Sequence, residues 1–186
     1  PLCFQALKNL PDHGFGASKT LGMLALAYLG WLGAMLGWTT FTRAWLVAFT
    51  ILLGFVSYLA WQKQKDELRT FFHQNLRLIV CWELCFAIVG ATFLTIRAYN
   101  PEIYWGEKPM DFSFLNSFLR AETFPPEEPW FAGARLNYYC FGFVMAAAAG
   151  KLTQTTPGVL YNLAPGTISA HVFVLTLRIS QVVSPR

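Results

Sequence analysis

Long apolar blocks are the feature that most constrains how this chain folds. A helix needs about 20 mainly apolar residues to cross a hydrocarbon core of about 30 Å, and suitable blocks lie at 21–38, 45–61, 76–96, 138–152 and 159–177. Isolated strands would leave their backbone groups unpaired in lipid, so each block predicts a helix. We therefore expect an all-α, polytopic transmembrane helix bundle of about five spans, forming a single domain over residues 1–186.

The composition supports membrane insertion and argues against other classes of protein. Charged residues make up 13% of the chain, against about 25% in ordinary soluble domains. The formal net charge is +4, but the basic residues form no stripe of the kind that nucleic-acid-binding proteins carry. The expected partner is the lipid bilayer and not nucleic acid.

Charge differs between the segments that connect the blocks, and this predicts a topology. Lys8 and Lys19 precede the first block, and the 62–75 segment between the second and third blocks is rich in Lys and Arg. The 97–137 segment holds four basic and six acidic residues. The positive-inside rule then places the N-terminus and a 62–75 loop in the cytoplasm, and the 97–137 loop outside.

The 97–137 loop, between the third and fourth spans, is expected to be ordered. It carries half of the chain's ten prolines together with many aromatic residues, whereas disordered linkers are poor in aromatics. Pro109 favours the first turn of a short helix that runs to about Ala121. Its apolar face would consist of Met110, Phe114, Leu115, Phe118 and Leu119. We predict a partly helical external loop with an acidic and aromatic character.

Two carboxylates in this loop are candidates for chemistry. Glu107 and Asp111 are four residues apart, so the pair is suited to binding a divalent cation, Mg²⁺ or Mn²⁺, or to supplying a general base. The alternative for Asp111 is stabilisation of the helix N-terminus. The neighbouring cations Arg97, Lys108 and Arg135 suit a phosphate group, and the alternative for them is interfacial snorkelling.

Two ionisable residues fall inside the apolar blocks. Glu83 lies in the third block and His171 in the fifth, where such residues normally face the bundle interior or a wet cavity. A structural partner is the favoured interpretation for Glu83, and a hydrogen bond between helices for His171. The competing interpretation is a transport pathway.

A series of short motifs in fixed order resembles a known family. The series includes Arg97-Ala-Tyr-Asn-Pro-Glu-Ile103, Gly106-Glu-Lys-Pro-Met-Asp-Phe112, Pro129-Trp-Phe-Ala-Gly133, Asn137-Tyr-Tyr139 and Tyr161-Asn-Leu-Ala164. They resemble the YYY (chlor-archaeal) family of prokaryotic membrane proteins. Three positions depart from the family pattern: Cys140 replaces the third tyrosine, Glu128 an aspartate, and His13 an arginine.

The resemblance carries further expectations. Members of the family are longer, so this chain looks like an N-terminal fragment of a prokaryotic cell-membrane protein that lacks its C-terminal part. The family layout is similar to that of GT-C glycosyltransferases, which take a sugar from a polyprenyl-phosphate donor. It implies Asp111 or Glu107 as the catalytic residue or metal ligand. Arg97, Lys108 and Arg135 would bind the phosphate, and the sugar would contact Trp130, Asn137, Tyr138 and Tyr139.

Two other functions compete with glycosyl transfer. A transporter or flippase would use Glu83 and His171 within the bilayer. A non-catalytic membrane scaffold would use the 97–137 loop as a docking surface, with Trp130 and Phe131 as contacts.

Overall fold

The computed structural model describes residues 1–183 and consists of helices joined by turns and loops. In chain order the helices are α1 Leu2–Ala6, α2 Ser18–Met35, α3 Arg43–Ala98, α4 Lys108–Arg120, α5 Phe141–Thr153 and α6 Pro157–Val183. The described residues form no strand; their one β-bridge joins Glu127 to Arg135. The predicted all-α membrane fold is confirmed.

Helix α3 contains the second and third apolar blocks and everything between them. The prediction of a 62–75 loop is wrong, because this segment is helical and interrupted only by a kink at Gln64, where φ is −134° and ψ is 23°. Neither Gly nor Pro occurs between Gly54 and Gly90, and Lys, Arg, Gln, Glu and Leu, which dominate the charged segment, are strong helix formers. Charge alone did not end the helix.

The number of helices that can cross a bilayer is smaller than the sequence suggests. Within residues 1–183, α3 and α6 are long and apolar enough to cross a membrane, whereas about five spans were expected. Helix α5, in the fourth block, has 13 residues and is therefore about 20 Å long. That is too short for a hydrocarbon core of about 30 Å. Its apolar residues are used instead in packing against other parts of the protein.

The chain divides into two compact units. The first comprises Pro1–Gly22, Leu52–Arg97 and the described part of Pro165–Arg186. The second comprises Met23–Ile51 and Ala98–Ala164, so it holds the 97–137 loop apart from Arg97. The candidate carboxylates and most of the aromatic motifs therefore belong to the second unit.

In the first unit, a buried ion pair joins the N-terminal loop to α6. The Asp12 carboxylate accepts a hydrogen bond from the backbone N–H of Gly14 at 3.2 Å and another from Gly16 at 2.8 Å. Arg178 Nη2 lies 2.6 Å from Asp12 Oδ1. Asp12 is 6% exposed and Arg178 is 9% exposed. Because Gly14 has a φ of +72°, a conformation that side chains disfavour, the turn that aims these donors at Asp12 requires glycine there.

The two ionisable residues of the apolar blocks have polar partners in the first unit. The Glu83 carboxylate forms an ion pair with Lys19, and His171 Nδ1 is 2.8 Å from the Thr20 hydroxyl. The structural partner predicted for Glu83 and the hydrogen bond between helices predicted for His171 are both confirmed. Both partners lie in the first turn of α2.

The second unit is built around the packing of α4 on α5. Phe114, Leu115 and Phe118 of α4 are buried in one cluster with Val144, Ala147 and Ala148 of α5. The apolar face predicted for the loop helix is thus confirmed, and it packs against protein. Gly150 permits close approach, since a Cβ there would lie 2.4 Å from Leu160 Cδ2 and 3.1 Å from Leu119 Cδ2.

Replacement of Gly150 by alanine is expected to destabilise the second unit. The added methyl group must displace the Cδ2 methyl groups of Leu160 and Leu119, and such overpacking costs about 1–3 kcal/mol in well-packed interiors, against the roughly 1 kcal/mol of helix propensity gained when alanine replaces glycine. Gly142→Ala is the matched control, because it lies in the same helix with nothing within 4 Å of the added Cβ. Thermal unfolding in detergent should show a lower midpoint for Gly150→Ala only. Equal midpoints for the two variants would contradict this account of the α4–α5 contact.

Candidate functional site

The candidate site lies at the N-terminus of α4, where the sequence determines the start of the helix. Glu107 occupies the N-cap position and Pro109 lies in the first turn, where the fixed φ of proline suits a helix and its missing N–H is not needed. The backbone N–H of Asp111 donates to the Glu107 carbonyl oxygen at 2.9 Å. The helix predicted from Pro109 to about Ala121 is therefore confirmed within one residue at each end.

Asp111 occupies an environment that favours its protonated form. It lies three, four and seven residues before Phe114, Leu115 and Phe118, which share its helix face and are buried. Burial raises the pKa of the Asp111 carboxyl above its ordinary value, and the negative charge of Glu107 raises it further. A carboxylate with a raised pKa accepts a proton more readily, as a general base requires.

Two aromatic residues of the 97–137 loop and its flank attach to the same part of α4. Trp130 Nε1 donates to the Ser113 hydroxyl at 2.6 Å, and Ser113 donates in turn to the Met110 carbonyl oxygen at 2.7 Å. The Tyr138 ring lies 5.1 Å from that of Phe114. Ser113 and Phe114 follow Asp111 by two and three residues, so Trp130 and Tyr138 contact α4 within one turn of Asp111, and Ser113 lies on the other side of the helix from it.

The aromatic side chains around this turn remain open to their surroundings. Trp130 is 64% exposed and Tyr139 is 86% exposed. Tyr139 lies edge-on to Tyr138 at 5.1 Å, and Asn137 beside them is exposed. Exposed aromatic rings of this kind offer flat faces to a ring-shaped ligand.

Two of the predicted phosphate-binding cations, Lys108 and Arg135, belong to the second unit, and they lie at opposite ends of α4. Lys108 lies at the N-terminal end, and its Nζ donates to the Glu102 carbonyl oxygen at 3.3 Å. Arg135 donates to the Pro125 carbonyl oxygen at 3.2 Å and lines a cleft of about 280 Å³ with Arg120, at the other end of α4. Arg97 lies in the last turn of α3, in the first unit. Lys108 is therefore the cation of this group that belongs to the N-terminus of α4.

The predicted metal ligands at this site are the carboxylates of Glu107 and Asp111. Among residues 1–183 there is no cluster of three or more His, Cys, Asp or Glu side chains that could hold a metal ion. Glu107 and Asp111 supply two carboxylates, which matches Mg²⁺, an ion often bound by one or two carboxylates together with substrate phosphates and water. The donor set fits a cation that arrives with a phosphorylated substrate.

Ser113 is the residue of this site that sequence reasoning missed. A serine within a helix carries no signal of its own, and its role emerges only from the contact with Trp130, seventeen residues later. A second missed contact comes from Ser117, whose hydroxyl donates to the Glu127 carbonyl oxygen at 2.5 Å. Together these two serines attach the 127–130 segment to α4.

Comparison with known proteins gives one match. A family model described as "Uncharacterized membrane protein (DUF2298)" matches residues 25–186, which includes α3 to α6, most of α2 and all of the candidate site. No curated protein and no solved structure matches the chain.

Proposed function

The chain belongs to DUF2298, a family of uncharacterised membrane proteins, and from this premise we propose that it is a GT-C-like membrane glycosyltransferase that uses a polyprenyl-phosphate sugar donor. The observation that carries the proposal is the partly buried Asp111 carboxyl, whose pKa is raised by burial and by Glu107. The motif resemblance to the YYY family supports the same assignment.

In the proposed reaction Asp111 is the general base. It removes the proton from an acceptor hydroxyl as that oxygen attacks the anomeric carbon of the donor sugar. The new glycosidic C–O bond forms while the bond between the anomeric carbon and the lipid phosphate breaks. The phosphate leaves with the electron pair as polyprenyl phosphate, and Asp111 holds the proton. No oxidant or further reactant is needed.

The other residues of the site bind and orient substrate. Trp130, Tyr138 and Tyr139 offer aromatic faces to the sugar, and Asn137 offers an amide for hydrogen bonding. Lys108, in the first turn of α4, counters the negative charge of the donor phosphate. In the alternative role of the two carboxylates, Glu107 and Asp111 would instead hold Mg²⁺ or Mn²⁺, which would supply charge neutralisation at the phosphate. The 97–137 loop is assigned to the extracytoplasmic side.

Sugar transfer in membranes tests the proposal. Membranes that contain the protein should transfer labelled sugar from polyprenyl-phosphate donors to an acceptor, and the Glu107→Gln, Asp111→Asn double variant should not. Glu102→Gln, Glu127→Gln is the control, since both residues are exposed acids of the same loop. Equal transfer by folded wild type and double variant would overturn the assignment of the site.

Transport is the second candidate function, and one cluster in the first unit favours it. Lys19 pairs with Glu83 and lies 4.9 Å from the centre of the Phe86 ring, and the same ring meets His171 at 5.0 Å. Ionisable residues clustered within apolar segments are typical of ion pathways. Absence of transfer together with pH-dependent flux that Glu83→Gln removes would favour transport over glycosyl transfer.

A further inference from the structure

A groove in the first unit lies between the N-terminal segment and the charged part of α3. It has a volume of about 780 Å³, and none of its residues belongs to the candidate site at α4. Its lining is mostly apolar and aromatic, with Phe4, Phe15, Phe71 and Leu68 among its walls. A groove of this size and composition suits an organic ligand with a large apolar part.

Helix α3 presents two adjacent rows of side chains to this groove. Lys65, Arg69 and His73 line it at a spacing of four residues, so they follow one another along one helix face. Trp61, Phe72 and Leu76 line it beside them and are 42%, 41% and 57% exposed. Nitrogen donors in the middle of the groove are thus flanked by apolar side chains at both ends.

The charges of the groove favour an anionic group. Lys65 and Arg69 are exposed cations, and Asp66 is the one acidic residue among the described residues of the lining. Arg presents several N–H donors in a fork that matches phosphate, and Lys adds a point charge. His73 adds a ring nitrogen on the same face. The polar centre of the groove therefore complements a phosphate.

The apolar ends of the groove indicate where such a phosphate would come from. Trp61 is the last residue of the apolar 45–61 block of α3, and Leu76 is the first residue of the 76–96 block. These blocks belong to a helix that is long and apolar enough to cross a membrane. A free phosphate would leave the aromatic walls uncovered, whereas a lipid carries acyl chains that cover them.

We propose that this groove binds an anionic phospholipid of the surrounding bilayer, with the headgroup phosphate on Lys65 and Arg69 and an acyl chain on the Trp61 side of that phosphate. The site is separate from the proposed transferase centre, and lipid binding there does not depend on that function.

Fluorescence quenching by spin-labelled lipid tests the proposal on the full chain in phosphatidylcholine nanodiscs. Phosphatidylglycerol with a spin label on its acyl chain is titrated in, and the quenching of Trp61 is taken as the difference between wild type and Trp61→Phe. The Lys65→Gln, Arg69→Gln variant should need about tenfold more labelled lipid for half-quenching, because two interfacial cations are lost.

The control variant has the same charge change on the same helix. Lys63→Gln, Arg77→Gln removes two exposed cations of α3 that do not line the groove, and it should behave as wild type. Equal shifts in the two double variants would overturn the proposal by showing a general surface effect. Equal quenching by spin-labelled phosphatidylcholine would also overturn it, as would displacement of the lipid by excess inorganic phosphate.

Discussion

Replacement of Asp111 by asparagine is expected to lower the rate of sugar transfer by about 100- to 10,000-fold, the range that a positioned general base contributes. Asparagine keeps the size of the side chain and cannot accept the proton of the acceptor hydroxyl. The asparagine at position 111 should keep the same position in the first turn of α4, near the buried Phe114 and Leu115. The fall should therefore appear in kcat with the thermal midpoint unchanged.

Glu107→Gln should affect the kinetics differently, because the charge of Glu107 raises the pKa of Asp111. The negative charge of Glu107 is one of the two causes that raise this pKa, after burial. Asp111 must be deprotonated to act as base, so activity falls as pH drops through its pKa. Removing the Glu107 charge lowers that pKa, and the acidic limb of the pH–rate profile should move to lower pH.

Comparison of Asp111→Asn with Glu107→Gln also distinguishes the role of general base from the role of cation ligand. If Glu107 holds a cation, Glu107→Gln should in addition raise the Mg²⁺ or Mn²⁺ concentration needed for half-maximal rate. Glu102→Gln, an exposed acid before α4, should change neither the profile nor the cation requirement. Full activity of Asp111→Asn across the pH range would remove Asp111 from the reaction.

The helical elements were predictable where local signals agreed. Helix α4 was found within one residue at each end because Pro109 and the apolar spacing of Phe114, Leu115 and Phe118 point to the same helix. The 62–75 segment interrupts the apolar pattern and so predicts a loop, but without Gly or Pro it stays helical apart from the kink at Gln64. The fourth block forms a 13-residue helix, because hydropathy does not distinguish a short packed helix from a longer one that crosses lipid.

The candidate site was predictable in its residue types and only partly in its geometry. Glu107 and Asp111 are four residues apart, so their proximity follows from the helix alone. The contact of Trp130 with Ser113 spans seventeen residues through an irregular segment, and no sequence period encodes it. The same holds for Arg135, which lines a cleft at the other end of α4. Long-range contacts depend on the fold as a whole, and one sequence does not reveal them.

The buried pair of Asp12 and Arg178 is the clearest long-range contact, separated by most of the chain, and Arg178→Met is expected to be strongly destabilising. Removing one partner of a buried pair leaves an uncompensated charge and typically costs about 3–5 kcal/mol. The methionine preserves much of the side-chain packing against Gly16, where a Cβ would lie 2.6 Å from Arg178 Cγ. The loss is therefore that of the polar contacts of the guanidinium, which are the ion pair with Asp12, a hydrogen bond to Gln181 and the contact with the Trp82 ring.

A double-mutant cycle separates the pair from its surroundings. The Asp12→Asn, Arg178→Met double variant should recover part of the stability lost in Arg178→Met, because no lone buried charge remains. Lys8→Met, which replaces an exposed cation of the same N-terminal segment, should leave the unfolding free energy unchanged. A double variant as unstable as the sum of the single variants would contradict direct coupling of Asp12 and Arg178.

The pH dependence of unfolding provides an independent test of the same pair. Burial alone would raise the pKa of Asp12, but hydrogen bonds from Arg178 and from the Gly16 and Gly14 N–H groups outweigh it and lower the pKa below the ordinary value of 3.8. A carboxyl with a depressed folded pKa contributes stability that is present above its unfolded pKa and is lost as pH falls through the folded one. Wild type should therefore lose stability below pH 3.8 more steeply than Asp12→Asn. Parallel curves for the two proteins in that range would mean that Asp12 is not held ionised by Arg178.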